Sequence, residues 1–130
     1  MTLAATMLAD DALRATADGF ELDVRLNWYR SLPLSSVKTL ELTVDGEAIP
    51  GDEITFAVNG HVYSLGSLAE RWDETWFVLD TATLRVRRPL VRAGDRVAVH
   101  LKLGTRIPYI LLGPEPLEYV SERGRELTAC

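Results

Sequence analysis

F-E-L-D-V-R-L, Phe20 to Leu26, sets Phe20, Leu22, Val24 and Leu26 against Glu21, Asp23 and Arg25. That is the two-residue period of a strand with one buried face and one wet face. The period recurs outward along the chain. In V-K-T-L-E-L-T-V, Val37 to Val44, the residues Leu40, Leu42 and Val44 share one face and Thr39, Glu41 and Thr43 the other. L-R-V-R alternates Leu84 and Val86 with Arg85 and Arg87. R-V-A-V-H-L-K-L opposes Val97, Val99, Leu101 and Leu103 to Ala98, His100 and Lys102. One-sided alternation of this kind belongs to antiparallel sheets with a solvated face.

The turns agree. Asp18-Gly19, Asp45-Gly46 and Asn59-Gly60 each lie between strand-like residues, the strongest short-range hairpin signal. Residues 12–17 read as the first arm of the hairpin that Asp18-Gly19 closes, and Gly94-Asp95 opens a later strand. S-L-A-E-R-W, Ser67 to Trp72, is a short helical candidate. About eight short strands at this spacing predict an all-β fold, an antiparallel sandwich of the jelly-roll kind. The reading is one domain over residues 1–130, with residues 1–10 and 120–130 loosely held.

The length, 130 residues, suits a single domain and is enough to bury a core without disulfide or metal. With 47% hydrophobic and 25% charged residues the composition is globular. Fourteen Lys and Arg against 19 Asp and Glu give a net charge of −5, which disfavours a general nucleic-acid binder. The one cysteine, Cys130, allows no internal disulfide, and the start M-T-L-A-A-T-M-L-A-D-D lacks the cationic opening of an export signal. No segment has the roughly 20 apolar residues of a membrane helix. A cytoplasmic protein without membrane contact is expected.

No catalytic constellation is legible. His61 and His100 have no His, Cys or carboxylate at a metal-ligand spacing in sequence, so two surface histidines are the plain reading. No G-x-S-x-G, C-x-x-C or glycine-rich phosphate loop occurs. Asp52-Glu53 and Glu70-Arg71-Trp72-Asp73-Glu74 read as solvated loops rather than acid/base pairs. The run from Arg85 to Arg96 carries five arginines without interleaved aromatics, which fits a solvated or partner-facing strand better than a nucleic-acid stripe. Trp72, Trp76 and Tyr63 offer a second possibility, a sugar-stacking platform.

Two segments exceed what the fold needs. N-W-Y-R-S-L-P-L contains Trp28, Tyr29, Arg30 and Pro33 just beyond a strand. R-I-P-Y-I, Arg106 to Ile110, interrupts an apolar strand with Pro108, which belongs at an edge or a bulge. Trp, Tyr and Arg gathered at loops and edges have the character of interface anchors, although Trp28 and Tyr109 read equally well as core aromatics.

Taken in order, F-E-L-D-V-R-L, W-Y-R-S-L-P-L-S, V-D-G-E, V-N-G-H-V-Y-S-L, W-F-V-L-D, L-R-V and R-I-P-Y-I resemble one family. The chain resembles the small β subunit of bacterial C-glycoside deglycosidases, from about Phe20 to Ile110. The most specific pieces are Y-R-S-L-P-L-S and R-I-P-Y-I.

The resemblance implies a β-sandwich that works only with a larger α subunit, a TIM barrel similar to sugar isomerases and carrying a divalent ion, usually Mn2+. It implies substrates that are C-glycosides of flavonoids and related phenolics, oxidised beforehand to the 3-keto sugar. It carries no catalytic residue, metal ligand or cofactor over to this chain. What it carries over are Trp28, Tyr29, Arg30, Pro33, Arg106, Pro108 and Tyr109, as partner contact or active-site rim. A stand-alone carbohydrate-binding module is the runner-up, and a regulatory or scaffolding domain comes third.

Overall fold

The computed structural model describes residues 7–26, 31–77, 80–112 and 115–130, with backbone alone for 107–112 and 115–117. The strands are β1 (Leu13–Ala15), β2 (Phe20–Arg25), β3 (Leu32–Pro33), β4 (Val37–Val44), β5 (Glu47–Ala48) and β6 (Ile54–Val58). After them come β7 (His61–Ser64), β8 (Thr75–Trp76), β9 (Thr81–Val86), β10 (Arg96–Leu112) and β11 (Glu115–Thr128). One sheet runs β1-β2-β9-β6-β7, a second runs β11-β10-β4-β5, and β3 pairs with β8 in a two-stranded ribbon. The strand pairings are antiparallel. The all-β expectation holds.

The alternation read from the sequence sets the packing. Phe20, Leu22 and Val24 meet Val86, Leu84 and Ala82 across β2 and β9, and all six are buried. Leu42 and Val44 of β4 face Leu101 and Val99 of β10, buried from the other sheet. At about 25 cal/mol per Å2 of apolar surface, these inner faces drive the two sheets together.

Asp45-Gly46 and Asn59-Gly60 are two-residue turns with positive φ at both positions, the twist that suits a tight hairpin. Asp18-Gly19 closes its hairpin without positive φ. Gly19 serves packing instead, since a Cβ there would lie 1.8 Å from the Val86 carbonyl oxygen. Ser67–Trp72 does not become an α-helix, and Leu65–Glu70 winds as 3-10 turns.

The ends differ from expectation. Met7 and Leu8 are fully buried, and the Met7 carbonyl accepts the Arg25 N–H at 2.9 Å. Residues 120–128 are not loose but belong to β11, paired with β10 from Arg96↔Thr128 onward. Beyond β11, Cys130 N–H donates to the Leu13 carbonyl at 3.1 Å and its own carbonyl accepts from Ala15 N–H at 3.2 Å. The tail thereby seals the β1 edge of the first sheet.

Candidate functional site

The described part of the first unusual segment, from residue 31, leads into the strand that pairs up to Thr105, next to Arg106. Leu32 pairs with Trp76 and Pro33 with Thr75. Pro33, with φ −65° and ψ 151°, then leads into a 3-10 turn over Leu34–Ser36. Leu34 N–H donates to the Glu74 carbonyl at 2.8 Å and Ser35 N–H to the Arg71 carbonyl at 3.1 Å. Val37, next in the chain, pairs with Thr105 across an irregular step in the β4–β10 ladder. Pro33 thus lies four residues along the chain from Val37, whose ladder partner Thr105 precedes Arg106. Trp28, Tyr29 and Arg30 lie outside the described residues.

Arg106 is half-buried, and its Nε is shut off from solvent without an acceptor. Beyond Thr105, β10 is paired among the described residues with β11 only, and that ladder breaks between Ile107 and Leu111. Pro108, which has no N–H to donate, falls in the break, as expected of proline in a strand. Tyr109 shares that stretch of backbone; its side chain lies outside the description.

A polar cluster that sequence reasoning missed lies where Leu34 and Ser35 rest on the 71–74 turn. His61 Nδ1 lies 2.7 Å from Glu74 Oε1, and the Tyr63 hydroxyl donates to the same oxygen at 3.0 Å. The Arg71 guanidinium carbon stands 5.1 Å from the centre of the Tyr63 ring, within cation–π range. The bond to His61, with that from Tyr63, holds the Glu74 carboxyl below the usual range, whereas burial pushes the Tyr63 hydroxyl up. Asn59 Nδ2 donates to the Thr75 carbonyl at 2.7 Å, tying the hairpin tip to β8.

Other sequence candidates resolve differently. Trp76 is wholly buried, edge-on to Phe56 with ring centres 5.4 Å apart, and its Nε1 donates to the Asp80 carbonyl. It cannot stack on a sugar, so the platform of Trp72, Trp76 and Tyr63 does not exist as a surface. Within the arginine run, Arg85 meets Glu21, Arg88 meets Glu53 and Glu47, and Arg96 meets Glu126. Those partners fit a solvated surface. No three His, Cys, Asp or Glu side chains among the described residues are placed to hold a metal ion. No described helix is long and apolar enough to cross a membrane.

The model of the C-glycoside deglycosidase beta-subunit family matches residues 3–109. This chain belongs to that family. A 3'-dehydrocarminate deglycosidase beta subunit from Microbacterium sp is 39% identical over 111 residues, covering 85% of this chain and 83% of the relative. A C-glycoside deglycosidase beta subunit from Arthrobacter globiformis is 35% identical over 121 residues, 91% of this chain and 89% of its own. Another from Microbacterium trichothecenolyticum is 30% identical over 117 residues. As a C-glycoside deglycosidase β subunit the chain is one part of an enzyme, and a partner subunit is implied. The matched span includes Pro33, Arg106, Pro108 and Tyr109, along with the His61–Glu74 cluster.

Proposed function

We propose that this chain is the non-catalytic subunit of a carbon–carbon lyase that splits a 3-keto C-glycoside into a phenolic aglycone and an unsaturated keto sugar. The family match over residues 3–109 carries the reading. The relative named for 3'-dehydrocarminate supports an oxidised glycoside as the substrate class.

The chemistry is a proton abstraction followed by elimination. A ketone at C3 acidifies the hydrogen on C2, and a positioned base removes it. The electron pair left on C2 forms the C1–C2 double bond as the C1–aryl bond breaks. The departing aromatic carbon takes a proton. The divalent ion that the resemblance implies, Mn2+, and the base are assigned to a TIM-barrel α subunit. Among the described residues of this chain no three His, Cys, Asp or Glu converge as a metal site. Its own part is to hold the complex together and shape the rim, through the end that carries Pro33, Arg106, Pro108 and Tyr109.

The test is co-expression with a sugar-isomerase-like barrel subunit and assay on a 3-keto C-glycoside, with release of aglycone followed by absorbance. Activity is expected from the complex and none from this chain alone. Activity of the isolated chain, or a stoichiometric metal ion in it that activity depends on, overturns the reading.

A further inference from the structure

Exposed apolar side chains fall in one stretch of the chain. Among the described residues Trp72 is 77% exposed, and Val62 and Phe77 are 51% exposed each. These three are the most exposed large apolar groups described, and all come from β7 or the chain that follows it to just past β8. Tryptophan so exposed is costly in water and typical of a docking anchor.

That stretch begins at the margin of a sheet. In the first sheet the β1 side is closed by Cys130, whereas among the described residues β7 is the terminal strand at the other side. An uncovered strand edge is a template for another chain, and proteins leave one only where something covers it.

Arg71 supplies the charge. Arg14, Arg85, Arg88, Arg96 and Arg125 each meet a carboxylate. Arg71 has no ion pair among the described residues, is half-buried, and its Nε is sealed from water without an acceptor. A buried donor left unmet is unfavourable until an acceptor arrives. Glu74, the adjacent carboxylate, is already engaged by His61 and Tyr63. Those bonds stiffen the platform beforehand, so that less freedom is lost on docking.

We infer that the β7 edge is a docking surface for the partner subunit, which presents a carboxylate to Arg71 and an apolar group to Trp72 and Phe77. The inference rests on the heteromeric enzyme proposed above and adds an anchor on the side of the sandwich away from β1.

The test uses the co-expressed complex. A benzophenone side chain placed at position 72 is expected to cross-link to the partner on illumination, and one at position 90 is not. Trp72→Ala and Arg71→Ala are expected to raise the Kd of assembly about thirtyfold, while Leu90→Ala leaves it unchanged. Trp72→Phe should retain most of the affinity. Unchanged assembly in Trp72→Ala and Arg71→Ala, or cross-links from position 90 and none from 72, overturns this inference. An active wild-type complex in that case leaves the proposed function standing. Failure of the wild-type chain to bind any barrel subunit overturns both.

Discussion

His61 Nδ1 and Glu74 Oε1 lie 2.7 Å apart, joining a hairpin tip to the turn before β8. The His61 side chain is mostly exposed and that of Glu74 mostly covered. The bond fixes the orientation of the imidazole ring, while the Tyr63 hydroxyl holds the same carboxylate from the side. One oxygen thus organises the end of the sandwich on which Leu34 and Ser35 also rest.

That arrangement sets an acid limit. Glu74 has a folded pKa below its unfolded value, because His61 and then Tyr63 bond its carboxylate. Its contribution is complete above the unfolded value, about 4.3, and fades as pH falls through the lower folded value. Wild-type stability should therefore drop on acidification from about pH 5 to 3, and Glu74→Gln should flatten part of that slope. Urea midpoints measured across this range check it. Parallel curves for the two proteins would remove Glu74 from the account.

Asp23 gives a second, independent case on the outer face of the first sheet. Its carboxylate takes Arg14 Nη1 at 2.7 Å, Arg14 Nη2 at 2.9 Å and the Thr83 hydroxyl at 2.8 Å, and the Arg14 bonds are the main reason its pKa is lowered. Asp23→Ala leaves both donors without that acceptor and should cost about 2 kcal/mol near pH 7. The deficit should shrink by pH 3, below the ordinary Asp value of about 3.9, where the unfolded chain takes up the proton. Chemical denaturation at the two pH values measures the difference.

What could be read in advance follows from the range of each interaction. The hairpins at Asp45-Gly46 and Asn59-Gly60 were legible because their positive φ is a local demand on two adjacent residues. β11 was not, because its inward positions include Ser121, Arg123 and Arg125, so polar residues hide the period. Arg125 reaches the Leu8 carbonyl and Asp10, which turns a charged strand into a covered one. His61 and Glu74 are 13 residues apart and meet only after β7 and the 3-10 turns have folded back. Pro108 could be assigned to an edge or bulge because the missing N–H is a property of the residue alone.

Trp72 and Trp76, four residues apart, should behave as opposites. Trp76→Ala empties a wholly buried site against Phe56 and should cost about 3–5 kcal/mol, enough to unfold much of a domain this size. Trp72→Ala removes an exposed ring and should change stability by less than about 0.5 kcal/mol. Thermal unfolding of the two variants separates them. A large loss in Trp72→Ala would mean that its ring packs on this chain in solution.

The remaining prediction concerns the R-I-P-Y-I stretch. Among the described residues, β10 from Arg106 onward pairs with β11 only, and that ladder slips between Ile107 and Leu111. The backbone carrying Pro108 and Tyr109 is thus held at both ends, with no second strand beside it among the described residues. Permanent interfaces bury on the order of 2,000 Å2 or more and favour aromatic anchors on such ground. Tyr109→Ala should weaken assembly with the partner by about 2 kcal/mol, roughly thirtyfold in Kd. Arg92 lies exposed at the Gly94 turn, where its backbone N–H donates to Asp95 at 3.0 Å and its charge stays hydrated. Arg92→Ala should therefore change affinity by less than about 0.5 kcal/mol. Titration of the partner subunit with each variant gives the comparison. If Arg92→Ala weakens assembly more than Tyr109→Ala, the contact lies at the opposite end of the sandwich and the R-I-P-Y-I stretch is not an anchor.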